Sequence, residues 1–132
     1  DKRFGTKEII SENARRIEVK PEQIQEKDIK EFIETNLSDT SKIPNRVVIG
    51  GCNKETKIYI IKKLSNIMMK GDIFVLPLIT LEILQEIKSI FIELNFQINI
   101  TLVQIQKGVS IAEGTRFEPN NPVFIIKAKK NN

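Results

Sequence analysis

Residues 46–53 constrain the fold of this chain more than any other stretch. Val47, Val48 and Ile49 are three β-branched residues in a row, the composition of a strand buried on both faces in a parallel sheet. Gly50 and Gly51 follow at once, so the backbone there turns sharply or lets something approach closely. Asn53 then stands where a helix cap belongs, with Glu55 in the first turn near the positive end of the helix dipole. Strand, glycine turn and capped helix, in that order, require a further strand to pack against.

The rest of the chain supplies it. The helix opened by Asn53 is expected to run to about Met69 and to bury Ile58, Ile61, Leu64 and Met68. Lys70-Gly71-Asp72 turns into a second buried strand, Ile73 to Leu78. Thr80 caps the next helix, whose apolar face is Leu84, Ile87, Phe91 and Leu94, and Asn95 suits a left-handed stop. Residues 98–105 alternate partly, with Ile98, Ile100 and Leu102 on one side. Lys107 to Asn121 reads as a polar loop containing Gly108, Gly114 and Pro119, and Val123 to Ala128 as the last strand. Upstream, residues 6–18 read as a helix capped by Thr6, with Ile9, Ile10, Ala14 and Ile17 on one face. Residues 29–36 read as another, through Ile29, Phe32 and Ile33, and Ser38 to Asn45 as a loop.

From Arg46 onward, alternating strands and helices imply an α/β fold with a parallel, doubly wound sheet. Only a loop separates the last two strands, so they are expected to pair antiparallel. That closing strand is the arrangement of Rossmann-like class I methyltransferases. At 132 residues one domain is the default.

Composition narrows the chemistry. The chain has no histidine, which excludes Ser-His and Cys-His nucleophile pairs and most zinc sites, and no metal is expected. Cys52 is the only cysteine, so no intrachain disulfide forms, as fits a reducing cytoplasm. No signal peptide is read at the start, and no apolar run approaches the ~20 residues that span a bilayer, so no membrane partner is expected. The net charge of +4 is interspersed, apart from Lys127, Lys129 and Lys130. With no Trp and one Tyr there is no stacking platform for bases, and nucleic acid is not an expected partner.

Three stretches resemble the decarboxylating precorrin-6Y methyltransferases of cobalamin biosynthesis. VVIGGCNKET stands where that family has a strand ending in a glycine-rich loop. KGDIFVLPLITLEIL matches its turn, strand and Thr-Leu-Glu helix start, and GTRFEPNNPVFIIKA its Asn-Pro-Val lead into the last strand. Lys107-Gly108 falls where the family often has Arg-Gly. The match covers residues 46–128 well and residues 1–45 weakly, within a single partial methyltransferase domain.

The resemblance implies S-adenosylmethionine-dependent methylation of carbon 15 of a precorrin or cobalt-precorrin, with loss of an acetate carboxyl. It implies a tetrapyrrole substrate and cofactor contacts at Asp1, Asp28, Gly50 and Gly51. Asp1 would bond the ribose hydroxyls and Asp28 lie beside the adenine amine; as residues, both also read as surface acids in loops. Substrate contacts are implied at Cys52, Thr80, Lys107 and Arg116. Cys52 also reads as a small buried residue, and Lys107 and Arg116 as solvated loop charges that could pair with substrate carboxylates. The chain departs from the family at Asn53, where a later glycine is replaced, and at Cys52, which replaces a serine. The family's first strand and first glycine loop would precede residue 1, so the Val47–Ile49 strand is expected to have an open edge. We expect the 132-residue form to dimerise through that edge or to cover it with residues 1–37, and to bind cofactor weakly or not at all. The alternative function is a non-catalytic remnant or interaction domain with a methyltransferase fold.

Overall fold

The computed structural model describes residues 6–18, 27–36 and 43–132, which divide into two compact units, Asp1–Ile43 and Pro44–Asn132. The N-terminal unit contains α1 (Thr6–Arg16) and α2 (Ile29–Asn36). Ala14 and Ile33 are buried, but Ile9, Ile10 and Ile17 are exposed, so the apolar face expected for the first helix is buried only at Ala14. Thr6 is the first residue of α1, not a cap preceding it. Asp28 caps α2: its Oδ1 accepts from the backbone N–H of Lys30 at 3.0 Å.

The C-terminal unit is built on a four-stranded sheet in the order β1-β2-β6-β3. Its strands are β1 (Arg46–Val48), β2 (Ile73–Leu78), β3 (Phe96–Val103) and β6 (Val123–Lys130). The connecting helices are α3 (Lys54–Ser65) and α4 (Leu81–Glu93). β1 and β2 are parallel, and β6 runs antiparallel to both β2 and β3, as the loop-only connection required. β3 starts at Phe96, two residues earlier than its alternation shows, directly after Asn95, whose φ of 61° ends α4 in the left-handed region.

The core lies on one face of this sheet. Phe74, Leu76 and Leu78 of β2 and Ile126 and Ala128 of β6 are buried, as are Ile61 and Leu64 of α3 and Leu84, Ile87 and Phe91 of α4. Phe74, Phe91 and Phe96 form a triangle with ring centroids 5.2–5.7 Å apart, tilted as aromatic quadrupoles prefer. Lys130 closes the amino-terminal end of the sheet. Its Nζ donates to the carbonyls of Ser65 and Leu94 at 3.3 Å each, at the ends of both helices, and lies 4.9 Å from the Phe96 ring centre. A cation there also opposes the negative ends of two helix dipoles.

Further expectations fail here. α3 ends at Ser65, with Asn66 as its C-cap, short of Met69. The sheet is mixed, not a parallel doubly wound one, since within it only β1 and β2 pair in parallel. β1 is not buried on both faces: Val47 is half-buried and Val48 is 74% exposed. β1 is an outer strand, and among the described residues nothing pairs with its free edge. Residues 107–121 are not a loop: β4 (Gln106–Ile111) and β5 (Gly114–Pro119) form a separate two-stranded hairpin. Gly108 faces Phe117 across it, and a Cβ on Gly108 would press on Thr115 at 3.3 Å.

Candidate functional site

In open α/β sheets ligands bind outside the carboxyl ends of the parallel strands. Here that end is formed by the segments leaving β1 and β2. The backbone N–H of Ile49 bonds the Val75 carbonyl at 3.0 Å, and the chain then leaves the sheet at Gly50. The N–H of Cys52 closes back on the Gly50 carbonyl at 2.6 Å, a tight turn over Gly51, whose φ is +35°. Asn53 follows in extended conformation and caps α3, its Oδ1 accepting from the Thr56 N–H at 2.9 Å. Thr80 does the same for α4, accepting from the Ile83 N–H at 3.4 Å. The two caps have the same sequence separation as the register partners Arg46 and Ile73, so both helices start at one end of the sheet.

Of the residues singled out in the sequence, Gly50, Gly51, Cys52 and Thr80 therefore share this end. A Cβ on Gly50 would meet nothing within 4 Å, so the space beside it is open to a ligand. Cys52 is half-buried. The hairpin rises from the same end, because it joins the end of β3 to the start of β6, and Leu78 pairs with Phe124 there. Lys107 and Arg116 lie on one face of the hairpin, with Glu118. Arg116 is already engaged, its guanidinium 2.5 Å from the Glu118 carboxylate in an exposed pair. Asp28 lies in the other unit, and Asp1 falls outside the described residues.

One residue of this end was not legible as such. Lys57 sits in the first turns of α3, is only 9% exposed, and its Nζ donates to the carbonyl of Cys52. The signal was positional: residues 57, 61, 64 and 68 recur at helical spacing, and Lys57, not Ile58, takes the buried place. Among the described residues no group of three or more His, Cys, Asp or Glu could hold a metal ion, and no helix is long and apolar enough to cross a membrane.

The strand order with its inserted antiparallel strand defines a Rossmann-like class I methyltransferase sheet. A methyltransferase described as a SAM-dependent O-methyltransferase, from Thermotoga maritima, superposes with a TM-score of 0.64 over the whole chain at 17% identity, this chain covering 48% of it. Within that class the chain resembles the precorrin-6Y methyltransferases, as its motifs indicate. The precorrin-6Y C5,15-methyltransferase of Geobacter metallireducens is 28% identical over 67% of this chain, with a TM-score of 0.60. The precorrin 8W decarboxylase of Methanobacterium thermoautotrophicum is 24% identical over 97% of the chain, with a TM-score of 0.75. This chain spans 45% and 66% of the lengths of those two structures. No family model matches it, and no curated protein does.

Proposed function

We propose that this chain is part of an S-adenosylmethionine-dependent methyltransferase that acts on a precorrin, methylating carbon 15 and releasing an acetate carboxyl as carbon dioxide. The observation that carries the reading is the strand order. It brings Gly50, Gly51, Cys52 and Thr80 to one end of the sheet in a chain that is 28% identical to a precorrin-6Y C5,15-methyltransferase. When bound, the cofactor supplies an electrophilic methyl group on a sulfonium sulfur.

The residues fit that group. The open space at Gly50 admits its approach, and Gly50 and Gly51 would hold it; the resemblance to the precorrin-6Y methyltransferases adds Asp1 and Asp28 as cofactor contacts. Cys52 and Thr80 would line the substrate side. The work of these groups is orientation of an in-line transfer, worth ~7–11 kcal/mol where it is complete. Such a reaction needs no histidine. Arg116 would exchange Glu118 for a substrate carboxylate at little cost, since an exposed ion pair contributes only ~0–1 kcal/mol. Lys107 would offer a second cation on the same hairpin face.

Incubating the full-length protein that contains this chain with S-adenosylmethionine and a precorrin tests this directly. Mass spectrometry should show gain of one methyl and loss of carbon dioxide. Calorimetric titration with S-adenosylhomocysteine tests the cofactor half alone, and no uptake by the chain would place the main cofactor contacts outside it. The homo-oligomer is part of the same proposal: the free edge of β1 is a template for a second copy. Sedimentation should show association that the edge substitution Val48→Lys abolishes; a monomer at all concentrations would contradict it.

A further inference from the structure

Lys57 has no evident reason to be a lysine if its task is only to fill α3. It occupies the buried stripe shared with Ile61, Leu64 and Met68, where an apolar side chain would pack as well. Its place near the start of the helix sets a basic residue near the positive end of the dipole, which is unfavourable. Burying a long side chain also costs rotamer entropy. What offsets these terms is the far end of the side chain: Nζ reaches back over the cap and donates to the Cys52 carbonyl.

That carbonyl belongs to a segment with little else to hold it. Gly50 has no neighbour where a Cβ would be, and Gly51 has positive φ, so at these two residues no side chain restrains the turn. Its fixed points are the Gly50–Cys52 closure, the Asn53 cap and the Lys57 bond. Only the last ties the turn to the buried face of α3. We propose that Lys57 is a positioning residue: it clamps the Gly50–Cys52 turn in the conformation that meets the ligand. The ligand part of this statement rests on the methyltransferase reading; the clamp does not.

Cys52 is the only cysteine of the chain, so its labelling by a thiol-reactive disulfide reports this turn alone. In the unliganded full chain, Lys57→Met keeps an apolar stem and loses the donor. We expect Cys52 to label about tenfold faster, the weight of one hydrogen bond from a charged donor, with little change in the thermal midpoint. Lys57→Arg retains a donor and should label near the wild-type rate. Lys57→Gln, too short to reach the carbonyl, serves in place of the Met variant if that one fails to fold. Wild-type labelling rates in the donor-less variant, or equal acceleration in Lys57→Arg, would overturn the clamp. Titration with S-adenosylhomocysteine separates the two readings. Weaker binding by Lys57→Met than by wild type supports the positioning role, and equal binding overturns it. No binding by the wild type, even at millimolar ligand, would overturn the ligand part of the proposal, while the labelling rates would still decide the clamp.

Discussion

Gly50 and Gly51 are neighbours with different requirements. Gly51 has a φ of +35°, where an L-residue is strained by roughly 1–2 kcal/mol. Gly50 has ordinary φ and open space beside it. Urea unfolding should therefore show Gly51→Ala destabilised by about that amount and Gly50→Ala within ~0.5 kcal/mol of wild type. If a ligand approaches Gly50, the alanine variant should lose affinity for S-adenosylhomocysteine with its stability intact; a loss of stability instead would assign Gly50 to the fold. Lys130 offers the opposite case, a residue whose role is stability. Lys130→Met keeps the stem over Phe96 but leaves the Ser65 and Leu94 carbonyls without this donor. A loss of about 1–3 kcal/mol is expected in the same assay, since these bonds come from a charged donor; an unchanged midpoint would remove Lys130 from the account of stability.

Elements were legible where burial imposed a period. β2 and α2 have the bounds that their patterns indicate, and Asn53, Thr80 and Asn95 stop or start helices as their side chains and backbone preferences require. The hairpin was not legible because burial imposes nothing on it. All of β5 is exposed, as is β4 apart from Val109, so neither strand alternates, and the turn at Ala112-Glu113 lacks the usual Asn-Gly signal. β1 misled for a related reason. Three β-branched residues fit a central strand, but the burial of Val48 depends on a neighbour that the described residues do not supply. An isolated two-stranded hairpin is marginal by itself in water. Amides of β4 and β5 should exchange with solvent much faster than those of β2 and β6, the two central strands. Comparable protection would mean that another surface covers the hairpin in solution.

For the whole molecule, the sequence indicated the fold and one end of the sheet more fully than it indicated the site. The order of elements from Arg46 leads to an α/β sheet with an antiparallel strand, and the strands themselves place Gly50, Gly51, Cys52 and Thr80 together. The contacts that hold such a site, Lys57 on Cys52 and Glu118 on Arg116, come from side-chain reach and hairpin register, which no local pattern encodes. The central claim is that this end of the sheet binds the cofactor, even if weakly. A nitrogen-15 correlation spectrum of the chain titrated with S-adenosylhomocysteine tests it most directly, because it detects weak binding and locates it. Saturable shifts concentrated at Gly50, Gly51 and Cys52 are the predicted result. No shifts at millimolar ligand, or shifts confined to the opposite end of the sheet near Lys130, would contradict it.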